Sequence, residues 1–85
     1  MKRKPVVGKK YIIIRDHYEN GAVHYFPKGA IVVVERVKYL GESLPYGTYL
    51  VDAVGKGAKG AEISQGLYDR DIVPYTKHNI IKYLL

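Results

Sequence analysis

Phe26-Pro27-Lys28-Gly29-Ala30-Ile31-Val32-Val33-Val34-Glu35-Arg36-Val37 is the stretch that decides the fold. Pro27 fixes its own φ and has no N–H, which places it at a turn or strand start rather than inside a ladder. Gly29 is free to take the positive φ that a turn ending there requires. Ile31 to Val34 are four consecutive β-branched residues, stiff at χ1 and well suited to a pleated surface. A period of two puts Ala30, Val32 and Val34 on one face and Ile31, Val33, Glu35 and Val37 on the other. A strand apolar on both faces belongs inside a small barrel or sandwich, or carries a second contact surface.

Working outward, Lys10–Arg15 is a first strand, with Tyr11 and Ile13 on one face and Ile12 and Ile14 on the other. Asp16–Asn20 is a polar loop closed by the turn dipeptide Asn20-Gly21, and Ala22–Phe26 is a candidate short strand. Lys38–Gly47, with Gly41, Ser43, Pro45 and Gly47, is an exposed loop. Thr48–Val54 is the third clear strand. Gly55–Gly60 is a glycine-rich tip expected to be mobile, and Ala61–Ser64 a brief strand. Asp69-Arg70-Asp71 favours a turn or a single 3-10 turn, followed by a short last strand at Ile72–Tyr75. The apolar end, 76–85, suits a strand or a short helix, since periodicity does not arbitrate at that length. These elements predict an all-β chain, a small antiparallel barrel of five or six short strands.

The order of Lys10–Arg15, a long loop, Phe26-Pro27-Lys28-Gly29, the valine-rich strand, the Gly/Pro loop, Thr48–Val54 and then Tyr68-Asp69-Arg70-Asp71-Ile72-Val73-Pro74 resembles an SH3-like barrel. The resemblance covers about residues 8–75, with a basic flexible arm at 1–7 and the apolar tail at 76–85 packing on the barrel. It extends to the small SH3-like accessory proteins of bacteriophages. It implies a 3-10 turn before the last barrel strand and a core that includes Phe26, Val32, Val34, Ala53 and Val73. Two features of peptide-binding SH3 domains are missing. The chain has no tryptophan, and Ile72 stands where a tyrosine precedes the valine of the 3-10 turn, so proline-rich peptide recognition is not implied.

Composition narrows the function. Fourteen Lys and Arg stand against eight Asp and Glu, with a formal charge of +6. Lys2, Arg3, Lys4, Lys9 and Lys10 all fall in the first ten residues, so the rest of the chain is nearly neutral. The basic character describes the arm rather than a whole face. Absence of cysteine rules out disulfides and thiolate metal sites and fits a reducing cytoplasm. Pro5-Val6-Val7-Gly8 is too short for a signal-type apolar region, and no run approaches the roughly 20 apolar residues of a membrane helix.

Candidate sites follow from charge and aromatic content. Lys2, Arg3, Lys4, Lys9 and Lys10 are candidates for phosphate contacts. The loop around Lys56 and Lys59 offers backbone amides and amines as phosphate-cradling loops do. It lacks the Gly-Lys-Ser/Thr ending, and no helix is expected after it, so a hairpin tip is the preferred reading. Nine tyrosines are many for 85 residues. Tyr18, Tyr25, Tyr39, Tyr46 and Tyr49 fall near predicted loops, where such rings anchor a protein interface or stack bases. His17, His24 and His78 have no metal-ligand spacing, and Asp16-His17 lacks partners for acid–base chemistry. No catalytic residue, metal or cofactor is expected. Ile80, Ile81, Tyr83, Leu84 and Leu85 either close the barrel or pair with another chain. The sequence therefore predicts a non-enzymatic, cytoplasmic binding module with a protein partner. The phage resemblance implies a host protein whose activity is modulated. The alternative is nucleic-acid binding through the arm and the surface tyrosines.

Overall fold

A computed structural model of the chain describes residues 4–15, 25–41 and 47–85. These residues form β1 (Lys10–Ile13), β2 (Ile31–Tyr39), β3 (Tyr49–Lys56), β4 (Glu62–Tyr68), a 3-10 turn (Asp69–Asp71), β5 (Ile72–Pro74) and a helix, α1 (Lys77–Leu84). All five strands belong to one antiparallel sheet in the order β4-β3-β2-β1-β5. Here β4 and β5 are the two edges, and no ladder joins them among the described residues, so the sheet is open. No helix among those residues is long and apolar enough to cross a membrane. The loop expected at Asp16–Asn20 and half of the one expected at Lys38–Gly47 lie outside the described residues, and Lys38 and Tyr39 belong to β2 rather than to that loop.

The Pro27–Gly29 turn behaves as its residues require. Gly29 has φ +94°, its N–H donates to the Ile13 carbonyl at 2.7 Å, and the Ile13 N–H donates to the Ala30 carbonyl at 2.9 Å. Strand β2 then starts in register with β1, with Lys10 opposite Val33 and Ile12 opposite Ile31. The strict two-face reading of β2 needs one correction. A register shift between Val34 and Arg36 marks a bulge, and one extra residue reverses side-chain parity beyond it. Val37, expected opposite Val32 and Val34, therefore packs against the same core as they do.

That core is Tyr11, Ile13, Phe26, Val32, Val34, Val51, Ala53, Leu67 and Ile72. Phe26, Val32, Val34 and Ala53 are buried as expected, whereas Val73 is only half-buried and Ile72 takes the inward place. Register explains the exchange. Ile72 lies opposite the inward Ile13, and Val73 lies opposite Ile12 on the other face. Ile12 is itself fully buried.

The tail is helical. Thr76 caps α1 by accepting from the Asn79 N–H at 3.2 Å, a placement its hydroxyl favours. No residue of α1 is buried, although Leu84 Cδ2 comes within 3.5 Å of where a Cβ on Gly29 would sit. The 3-10 turn is held by its carboxylates. Asp69 Oδ1 accepts from the N–H groups of Thr48 (2.9 Å) and Tyr49 (3.4 Å), and Asp71 Oδ2 accepts from that of Tyr68 (3.3 Å). Removing a buried charged acceptor leaves its donors unsatisfied. Asp69→Ala is expected to cost about 3 kcal/mol. A thermal melt followed by circular dichroism would then show a midpoint lower by roughly 10 °C or more, and an unchanged midpoint would contradict this role for the carboxylate.

Candidate binding groove

The N-terminal segment runs beside the sheet as a tied strap. Its Pro5 is buried. The Val6 N–H donates to Tyr11 Oη at 2.7 Å, and the Lys9 N–H donates to the Val6 carbonyl at 3.2 Å. Gly8, at φ +86°, turns the chain so that its N–H reaches the Val34 carbonyl at 2.8 Å, and the Val34 N–H returns to the Lys9 carbonyl at 3.2 Å. On the other side of β1, the Tyr75 N–H donates to the Lys10 carbonyl at 3.0 Å. A groove of about 800 Å³ lies between this segment and β5.

Its lining includes Pro5, Val6, Ile14, Ile72, Val73 and Pro74 as apolar groups. Four cationic side chains, Lys4, Lys9, Lys10 and Arg70, line it with a single carboxylate, Asp69, whose Oδ1 is already engaged by backbone amides. Lys10 Nζ sits 5.9 Å from the centroid of the Tyr75 ring, within cation–π range. A smaller cavity of about 560 Å³ lies on the far side of the strap, between it and Glu35–Val37. Lys4, Pro5 and Val6 line both, so the strap is the wall between them.

Three of the basic residues singled out in the sequence, Lys4, Lys9 and Lys10, thus come together on one groove, while Lys2 and Arg3 lie outside the described residues. Lys56 and Lys59 are exposed at the β3–β4 hairpin and do not line it. That hairpin tip, expected to be mobile, is pinned where the Ala58 N–H donates to the Tyr25 carbonyl at 2.8 Å. Of the five tyrosines singled out in the sequence, Tyr25, Tyr39 and Tyr49 are described. Tyr39 and Tyr49 are cross-strand partners in an edge-to-face pair with centroids 5.6 Å apart, whereas Tyr25 lies before the other end of β2, beside the hairpin tip. Tyr18 and Tyr46, like the Asp16-His17 pair, fall outside the described residues.

In α1, Ile81 and Leu84 are exposed, as is Leu85 beyond it, and Ile80 and Tyr83 are half-buried. Lys82 Nζ lies 5.3 Å from the Tyr83 ring centroid. Arg70, Tyr75 and the apolar lining were not singled out from the sequence. Their convergence depends on β5 pairing with β1, which no local signal reveals.

Amines over an aliphatic floor can hold an anionic group by charge while its apolar neighbours are removed from water. Comparison with known proteins finds no matching family model, no matching curated protein and no matching solved structure.

If Tyr11 Oη holds the strap, Tyr11→Phe should loosen it without unfolding the sheet, at a cost of about 1 kcal/mol. Amide hydrogen exchange read by NMR would then show roughly fivefold faster exchange at Val6, with the β3 amides unchanged. Equal protection in both proteins would show that the hydroxyl does not hold the strap.

Proposed function

We propose that this chain is a non-enzymatic binding module whose groove receives an acidic, apolar-sided segment of a partner protein. One observation carries the reading: Lys4, Lys9, Lys10 and Arg70 surround an aliphatic, proline-lined floor with a single carboxylate among them. Such a floor rewards burial of leucine- or phenylalanine-like side chains at about 25 cal/mol per Å². Cations at the rim select acidic neighbours and speed encounter. A single-stranded nucleic acid would instead want several exposed rings to stack its bases. Of the two tyrosines in the lining, Tyr11 is buried and Tyr75 is exposed.

The scaffold that best accounts for the sheet is an open SH3-like barrel. The strand order β4-β3-β2-β1-β5 and the 3-10 turn immediately before β5 support it. Likeness to small phage accessory proteins makes a host protein the partner class and modulation of that protein the role. A chain without cysteine suits a reducing cytoplasm.

The test uses fluorescence anisotropy with three labelled probes: a short peptide alternating Glu with Leu, the same peptide with Lys for Glu, and an oligothymidine. The acidic peptide should bind and weaken as salt rises. The double substitution Lys9→Glu and Lys10→Glu should weaken it by roughly tenfold or more; both side chains are exposed, so circular dichroism should be unchanged. Tighter binding of the oligothymidine, lost in the same double variant, would overturn the proposal in favour of phosphate contacts by Lys4, Lys9 and Lys10.

A further inference from the structure

The two edges of the sheet are finished differently. At β5 the Ile72 N–H is taken by the Asp69 carbonyl, and Pro74 has no N–H to offer. The Pro74 carbonyl accepts from Thr76 N–H and Asn79 Nδ2. A strand edge so occupied does not template another strand. Among the described residues, β4 is protected only at its end, where the Tyr68 N–H is taken by Asp71 Oδ2. Glu62-Ile63-Ser64-Gln65-Gly66-Leu67-Tyr68 contains no proline and no lysine, and its register with β3 is continuous, without a bulge.

Parity shows which of its backbone groups face outward. The Gly57 N–H donates to the Ala61 carbonyl at 2.9 Å, so this opposed pair is a hydrogen-bonded one. Hydrogen-bonded and non-bonded pairs alternate along an antiparallel ladder. Ile63, Gln65 and Leu67 therefore bond to Gly55, Ala53 and Val51, while Glu62, Ser64 and Gly66 turn their N–H and C=O away from β3. The Tyr68 N–H agrees with this parity, since it donates to Asp71 Oδ2 rather than to β3. A second observation sits at the middle of the same edge. Gln65 lies opposite Ala53, on the face that carries Leu67 into the core, and its Oε1 is buried with no hydrogen-bond partner among the described residues.

We infer that β4 is a self-complementary edge through which two copies of this chain pair antiparallel, with the two-fold axis at Gln65. In that register Ser64 of one copy faces Gly66 of the other, twice, and each pair exchanges both backbone bonds. The small Ser64 and the bare Gly66 leave room for close approach. Gln65 faces its own counterpart as a non-bonded pair, the closer of the two pair types. Rotation of the Gln65 side chain toward the axis brings its Oε1, buried and without a partner among the described residues, to the carboxamide N–H of the other copy. Glu62 is the only charged residue of β4. It falls opposite Tyr68 of the other copy, at the end where that copy exposes Arg70 and buries Asp69 and Asp71, so the exposed charge there is an unlike one. The surface lies at the opposite edge of the sheet from the β1–β5 groove and shares only Arg70 with it.

Sedimentation equilibrium over a wide concentration range tests this on the full chain. Wild type should self-associate as a dimer. Gln65→Glu and Gln65→Lys each set like charges face to face at the axis and should raise the dimer dissociation constant by roughly tenfold or more. An equimolar mixture of the two variants should recover the dimer as a heterodimer. Ser64→Pro, at an exposed position, deletes one outward N–H and should weaken association without a charge, while Ile81→Glu on α1 should leave it unchanged. A wild-type chain that stays monomeric throughout would overturn the inference. So would Gln65 variants that associate as wild type does, or association abolished by Ile81→Glu alone.

Discussion

Asp69 is the constraint on which the arrangement of the sheet depends. Its carboxylate is buried at the corner between β4 and β5, yet it reaches across to the start of β3. A carboxylate binds backbone N–H more strongly than a neutral acceptor, and its bonds to the Thr48 and Tyr49 amides tie that corner to β3. The approach is so close that a Cβ on Gly47 would fall on Asp69 Oδ1, and Gly47 also holds φ +145°. Both conditions call for glycine. With the corner fixed, the Asp71 carbonyl accepts from the Ile14 N–H at 2.9 Å, and β5 is laid along β1. The groove follows from that placement, since β5 becomes one wall and the strap held by Tyr11 the other.

Much of the sheet is legible in the sequence because its signals are local. Ile31–Val34 and Tyr49–Val54 are β-branched and aromatic runs with turn residues beside them, and Asp69-Arg70-Asp71 announces the 3-10 turn. What escapes depends on partners. The bulge after Val34 leaves no mark, because Glu35 and Arg36 look like an ordinary polar strand end. Strand β4 continues past Ser64 through Gln65-Gly66, which reads as punctuation. The strand persists there because Asp52 and Ala53 supply a continuous register. For α1, the signal was present in Thr76 and Asn79, a capping hydroxyl followed by the amide it accepts from, but the apolar residues after it suit a strand as well.

The groove is legible only in part. Lys4, Lys9 and Lys10 stand out as an N-terminal run of cations, and their convergence on one surface follows from the turn at Gly8. Arg70 and Tyr75 join them only through the β1–β5 ladder, which links residues far apart in the chain. Of the five tyrosines singled out near predicted loops, Tyr25, Tyr39 and Tyr49 are described. Register places Tyr39 against Tyr49 and leaves Tyr25 before the opposite end of β2. A residue type read from sequence gives chemistry without location, and here the location gathers Lys4, Lys9 and Lys10 on one basic apolar groove.

The proposed ligand contacts lie on the groove between the strap and β5. The most direct measurement is a titration of ¹⁵N-labelled protein with the acidic, leucine-containing peptide, followed by amide chemical shifts. The largest shifts should fall at Val6, Lys9, Lys10, Arg70, Val73 and Tyr75, with the Lys56–Lys59 tip unmoved. Shifts centred on that tip, on the Tyr39–Tyr49 pair or on α1, with the groove amides still, would contradict this placement.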